Sequence, residues 1–272
     1  MDKPRNILIF AKLSDAKLRA KLVPIIPALN GGQIYLLRRY PLQLEGVRTI
    51  SPPPLLRRSL LFTELFRILA GIFLLLTSPI HLIGGIYLFN HGKYAAILGK
   101  IFRRPIILFI IGDEFHNLKH PQKALTYLKW SQALIVRGRD SAQFFATKGI
   151  HPATIHIIPN WLDTQTLPRP DPGATKTVDL IYTGSFVPIK RLDRLLKSIH
   201  ILKYEKKLPV KLLLAGDGPL RPELERLCDT LTIRENVTFA GHQHTIYPWL
   251  EKSRVFIMTS DFEGLPMAML EA

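Results

Sequence analysis

The feature that most constrains this chain is an alternation, run through twice, of short and almost wholly apolar segments with longer stretches of helical periodicity. In the first half the short segments are NILIFAKL, GQIYLLRR, GVRTI, HLIGGIYLF, RPIILFIIGDE, SQALIVRG and IHIIPNW. A strand apolar at nearly every position needs cover on both faces, and a parallel sheet between two helical layers provides it. Helical segments fall between them: AKLRAKLVPIIPAL, broken by Pro24 and Pro27, then Thr63 to Leu76, KYAAILGKIF, HPQKALTYLKW and DSAQFFATKG, with Gly149 suited to close the last.

The stretch LDTQTLPRPDPGATKTV interrupts this pattern with Pro168, Pro170, Pro172 and Gly173 and almost nothing apolar, as an interdomain linker does. We therefore expect a first domain over 1–165, a Pro-rich linker over 166–177 and a second domain over 178–272. The alternation restarts with the strands DLIYTGSF, VKLLLAGDGP, NVTFAGH and VFIMTS. Helices at IKRLDRLLKSIHILKYEKK, LRPELERLCDTL, IYPWLEKS and PMAMLEA separate and follow them. Leu192, Leu195, Leu196, Ile199 and Leu202 mark the buried stripe of the first of these helices.

With 272 residues, 47% hydrophobic and 21% charged, the chain is globular and long enough for two cores. Lys and Arg number 37 against 21 Asp and Glu, a formal charge of +16 that favours anionic partners. The basic residues are dispersed without an aromatic-basic pattern, so no nucleic-acid partner is expected. One cysteine, Cys228, allows neither an internal disulfide nor a cysteine-based structural zinc site. The amino terminus has no secretory apolar run, and a cytoplasmic location is expected. Phe66 to Phe89 is nearly uncharged; it reads as a helix ending near Leu76 followed by a buried strand, with a membrane span as the alternative. The preceding LLRRSLLFTELFR mixes Arg57, Arg58 and Arg67 with Leu and Phe at helical spacing, which suits peripheral contact with an anionic inner membrane face.

In doubly wound sheets ligands bind outside the carboxyl ends of the strands. Four such turns in the second half are rich in glycine and polar groups: TGSFVPIKR, AGDGP, FAGHQH and TSDFEGLP. Gly184, Gly218 and Gly264 permit close backbone approach to a phosphate, and Lys190 and Arg191 supply charge; the alternative is that these glycines simply terminate strands. Neither a GxGxxG fingerprint nor a P-loop is present, which argues against classical dinucleotide binding and nucleotide hydrolysis. Glu263 and Glu271 flank the turn after the last strand, with the amides of Gly264 and Leu265 between them. Amides for an anion and carboxylates for hydroxyls together describe a site for a nucleotide-sugar.

From Val178 onward the chain resembles the retaining glycosyltransferases of family 4, also called group 1. GSFVPIKRLDRLL, LLLAGDGP, VTFAGH and SDFEGLPMAMLEA stand in that family's order and spacing, the last being its E-x7-E motif, while GGIYLFNHGKYAAILGKIFRRPIILFIIGDE and IHIIPNWLD are similar to its acceptor domain. The resemblance implies a GT-B-like α/β fold, two tandem Rossmann-like domains with parallel sheets, the second incomplete because the family continues beyond the position of Ala272. It implies transfer of a sugar with retention from a nucleoside-diphosphate sugar to a glycan or lipid-linked acceptor, in cell-surface polysaccharide or glycolipid synthesis, with no cofactor and no metal. Lys190 and Glu263 would be the catalytic pair, Lys190 on the diphosphate and Glu263 on the sugar hydroxyls. Glu271 would hold the donor ribose, Gly264 and Leu265 the phosphate, and Gly216, Gly218 and Gly241 would border the base, with Gly184, Ser185 and Arg191 completing the donor site. Ser185 stands where the family commonly has Arg, and Ile111 where many members have His, with Asp113, Glu114 and His116 following. Those departures suit a second reading, a non-catalytic binding or scaffold remnant of a transferase fold.

Overall fold

A computed structural model describes residues 3–111, 121–160, 167–169, 171, 173–263 and 265–272. The chain divides into two compact units, Met1–Trp161 and Leu162–Ala272. Among the described residues the first unit holds a seven-stranded sheet with strands β1 (Asn6–Phe10), β2 (Ile34–Leu37), β3 (Val47–Ile50), β4 (Ile80–Ile86), β5 (Ile106–Phe109), β6 (Ala133–Val136) and β7 (Ile155–Ile157). Their spatial order is β3-β2-β1-β4-β5-β6-β7, and every neighbouring pair is parallel. Helices α1 (Asp15–Leu22), α2 (Leu60–Thr77), α3 (Lys93–Ile101), α4 (Pro121–Lys129) and α5 (Arg139–Thr147) cover the sheet. Leu8 and Phe10 of the central strand are fully buried.

Local chemistry explains the boundaries. Pro24 and Pro27 stop α1 and leave a one-turn 3-10 helix at Ile26–Leu29. Ser59 caps α2 by accepting from the Phe62 amide, and the chain leaves that helix directly into β4, so the long apolar run is a helix followed by a sheet strand. The strand expected through Phe89 ends at Ile86. Tyr87 takes a left-handed φ of 74°, and the Gly92 amide bonds back to its carbonyl at 2.8 Å, forming a π-helical turn over Leu88–Gly92. That turn folds onto the strand so closely that a Cβ on Gly85 would lie 2.6 Å from the Gly92 Cα.

The second unit has β8 (Val178–Thr183), α6 (Leu192–Tyr204), β9 (Leu212–Ala215), α7 (Arg221–Thr230), β10 (Val237–Gly241), α8 (Tyr247–Glu251), β11 (Ser253–Phe256) and α9 (Met267–Glu271). The parallel sheet order is β10-β9-β8-β11. Leu192, Leu195, Leu196 and Ile199 of α6 are buried against Tyr182, Phe186 and Leu214, and Leu202 lies at the edge of that core. The second half of the Pro-rich segment docks onto this unit. The Asp171 amide donates to Glu251 at 2.6 Å, Lys176 to the Glu251 carbonyl at 2.8 Å, and the Thr177 amide to Lys252 at 3.0 Å. The last strand begins two residues before its apolar run and ends four residues before the run does, because Ser253 and Val255 pair with Val178 and Leu180 before the chain peels away past Ile257.

Candidate functional site

Since β8 to β11 are all parallel, the loops after Thr183, Ala215, Gly241 and Phe256 share one edge of the second sheet. The strand order reverses between β8 and β11, so a topological switch point lies between their carboxyl ends.

The glycines of this edge bind the loops to one another. The Gly184 amide donates to the Ala215 carbonyl at 3.0 Å, and the Gly216 amide to the Gly241 carbonyl at 2.8 Å. Gly216 has φ +153°, and a Cβ there would lie 1.8 Å from the Gly184 carbonyl oxygen. A Cβ on Gly218 would meet the Phe186 carbonyl oxygen at 2.6 Å, while Phe186 itself donates its amide to Asp217 at 2.9 Å. Gly241 is different: its φ of +71° favours glycine, but a Cβ there would meet only the Arg221 guanidinium, at an ordinary contact distance of 3.7 Å.

Lys190 and Glu263 form an ion pair that bridges the β8 and β11 loops across the switch point. Ser260 Oγ donates to the same Glu263 oxygen at 2.8 Å. Thr259 Oγ1 lies 3.0 Å from the Lys190 carbonyl and 3.1 Å from that of Arg191, and donates to them, tying the lysine's backbone to the β11 loop. Asp261 reinforces the junction, its amide donating to the Ile189 carbonyl at 2.9 Å. Beneath the β8 loop the buried Tyr182 hydroxyl donates to the Ser185 carbonyl at 3.1 Å. Burial, and after it the Glu263 carboxylate, pushes the Tyr182 phenol far above its ordinary pKa, so it stays a neutral donor.

The two neighbouring cations diverge. Arg191, with a left-handed φ of 50°, directs its guanidinium to Asp193 at 3.1 Å and Asp261 at 3.0 Å. Its pKa is raised by those hydrogen bonds, and both carboxyls are held below their usual range. It lines a cavity of about 860 Å³ between the start of α6 and α7, lined also by Leu220 and Glu223. Glu271 sits in α9 near Tyr247, whose phenol is pushed up by burial and then by this carboxylate. Ser185 is exposed and Leu265 half-buried; Gly264 lies outside the described residues. In the first unit Ile111 follows β5, and Asp113, Glu114 and His116 lie outside the described residues. No group of three or more His, Cys, Asp or Glu among the described residues could hold a metal ion.

Sequence reasoning singled out Lys190 and Glu263 but missed Tyr182, Thr259, Ser260 and Asp261. The hydroxyls had a signal: Thr259 and Ser260 directly precede the acidic turn, where short polar side chains tie loops by local hydrogen bonds. Tyr182 had none, since it reads as one more large residue of an apolar strand.

A parallel α/β unit with a lysine and a glutamate paired across the switch point at its carboxyl edge has the architecture of the Rossmann-like class, in which ligands bind at that edge. Residues 177–272 match the family model for glycosyl transferases group 1. Among curated proteins, the lipopolysaccharide 1,6-galactosyltransferase of Escherichia coli K12 is 33% identical over 140 residues, covering 48% of this chain and 37% of that protein. The chain spans about two fifths of the length of the first curated relatives it matches, 39% and 37%. Among solved structures, the apo form of the lipopolysaccharide outer core galactosyltransferase WaaB aligns with a TM-score of 0.67 at 18% identity, covering 98% of this chain and 77% of that one. Anabaena HepE in complex with UDP-glucose aligns at 0.66 and 17% identity, covering 94% and 74%. These likenesses establish the fold, GT-B-like with two tandem Rossmann-like units.

Proposed function

We propose that this chain is the sequence of a glycosyltransferase of polysaccharide or lipopolysaccharide synthesis, which moves a sugar from a nucleoside-diphosphate donor to an acceptor hydroxyl. The observation that carries the reading is the Lys190–Glu263 pair across the β8/β11 switch point. Without ligand the two charges hold each other in place. When a donor enters, the diphosphate draws the Lys190 ammonium, and Glu263 is released to accept hydrogen bonds from the sugar hydroxyls. Thr259 and Ser260 keep both residues positioned through that exchange. Glu271 holds the ribose, the amides of Gly264 and Leu265 help bind the phosphate, and the Gly184–Ser185, Gly216–Gly218 and Gly241 turns enclose the rest of the nucleotide.

In the step itself the acceptor oxygen bonds to the anomeric carbon on the face from which the diphosphate departs, so configuration is retained. The acceptor proton passes to the leaving diphosphate, and Lys190 stabilises the charge that develops there without a metal. The relatives' names, a galactosyltransferase of lipopolysaccharide and a protein bound to UDP-glucose, support the donor and acceptor classes. The test is transfer of radiolabelled sugar from a panel of nucleotide-sugars, comparing the chain with Glu271→Ala. Transfer abolished by the variant supports the reading. Transfer unaffected by it refutes the site, and binding of donor without transfer by either protein assigns the chain to the non-catalytic remnant.

A further inference from the structure

We propose that the outward face of α2 is a membrane-docking surface that seats the first unit on a bilayer of anionic lipids. The helix is inside out for a soluble protein. Its inner face carries Thr63, Arg67 and Gly71 beside Leu74 and Leu75. Its outer face carries Phe62, Leu65, Leu69, Phe73 and Leu76, each 49–72% exposed, at the three- and four-residue spacing of a single stripe. The only charges between Leu60 and Thr77 are Glu64 and Arg67, and they pair with each other at 2.8 Å.

The inner face is fixed in that orientation. Arg67, 2% exposed, donates to the carbonyls of Ala11 at 2.8 Å and Leu37 at 3.1 Å at the ends of β1 and β2. Gly71 lies so close to the sheet that a Cβ would meet Phe10 at 2.8 Å. By length and composition α2 could cross a membrane, but a helix held along one face by its own sheet presents only the other to lipid, in the plane of the interface.

Charge identifies the partner. Residues 1–161 contain 22 Lys and Arg against 7 Asp and Glu, whereas residues 162–272 contain 15 against 14, so nearly all of the +16 belongs to the unit that carries the stripe. Arg48 lines a groove of about 540 Å³ along the helix with Ile50, Phe66 and Phe73. Arg57 and Arg58 form the turn just before α2, and Arg39 donates to the Arg57 carbonyl at 3.0 Å. Among the described residues Arg48, Arg57 and Arg58 have no acidic partner. An apolar stripe with unpaired arginines beside it matches hydrocarbon beneath anionic headgroups; a nucleic acid would use the charges and leave the stripe in water.

The test is co-sedimentation of the chain with vesicles of phosphatidylcholine alone and of phosphatidylcholine mixed with phosphatidylglycerol. The chain should partition onto the mixed vesicles. The variant Leu65→Ser/Leu69→Ser/Phe73→Ser should lose about tenfold for each side chain that inserts, with thermal melting confirming that it folds. Arg57→Gln/Arg58→Gln should lose roughly fivefold per arginine and much of the salt dependence. A Phe73→Trp reporter should be quenched by brominated lipid. Equal binding by the stripe variant overturns the proposal, as does an unquenched reporter. It is likewise overturned if the stripe variant converts an oligomer to a monomer and leaves vesicle binding unchanged, an outcome that assigns the face to a second copy of the chain.

Discussion

Replacing Gly216 by alanine adds one methyl group, and the structure assigns it a large cost. The new Cβ would lie 1.8 Å from the Gly184 carbonyl oxygen and 2.9 Å from the carbonyl carbon, in a backbone conformation of φ +153° that L-residues rarely adopt. Neither contact can be relieved by turning a side chain, so one loop must move. Moving it strains or breaks the bonds from Gly184 to Ala215 and from Gly216 to Gly241. Strain of about 1–3 kcal/mol and about 1 kcal/mol for each bond sum to about 3–5 kcal/mol. The calorimetric transition of the second unit should fall by about 10 °C or more. Gly241→Ala is the control, since its nearest new neighbour is the flexible Arg221 guanidinium at 3.7 Å. That variant bears only the backbone preference, about 1–2 kcal/mol. Equal losses from the two substitutions, or a neutral Gly216→Ala, would show that the loops are not interlocked through Gly184. Because the methyl group displaces the Gly184–Ser185 turn, nucleotide affinity should fall further for Gly216→Ala than for Gly241→Ala.

Two other substitutions probe the first unit. Arg67→Ala leaves the Ala11 and Leu37 carbonyls without their buried donor and the half-buried Glu64 carboxylate without its cation, and should lower the free energy of unfolding by about 2–4 kcal/mol in urea titration. Lys21 has its pKa lowered to about 8, by burial first and then by repulsion from Arg137 and Lys17. The unfolded chain therefore holds this proton to a higher pH than the folded one, and stability should rise as pH increases from about 8 towards the ordinary lysine value of 10.5. Lys21→Met should raise the first unit's melting temperature at neutral pH and flatten that rise.

Most of the fold was legible because burial writes itself into strand composition. Apolar runs such as those at β5 and β9 permit little but a sheet covered on both sides, and the leucines of α6 announce their buried face by spacing. What escaped depends on tertiary contact. The early end of β4 follows from the turn that folds over Gly85, and nothing in GGIYLF distinguishes a strand from a strand with a π-turn. The docking of Asp171 and Lys176 onto α8 rests on Glu251, 80 and 75 residues away. Lys190 and Glu263 stood out in the sequence as a charge on a glycine-rich turn and as the first acid of the E-x7-E motif, whereas the turning of Arg191 towards Asp193 and Asp261 depends on how the β11 loop returns past α6. In α2 the helical period was plain in the sequence, but which face turns inward was settled by Arg67 reaching the strand ends.

Binding of a nucleoside diphosphate at the β8/β11 switch point through Lys190 can be read by calorimetric titration with uridine, guanosine and adenosine diphosphates. At least one of them should bind saturably, and Lys190→Ala should weaken that binding about 10- to 100-fold, the range of a lost hydrogen bond to a charged group. Glu263→Gln should bind the bare diphosphate as well as the parent chain or better, because Lys190 no longer has to leave a carboxylate, and should bind the nucleotide-sugar less well. No binding of any of the three, or equal binding by the parent chain and Lys190→Ala, would contradict binding through Lys190.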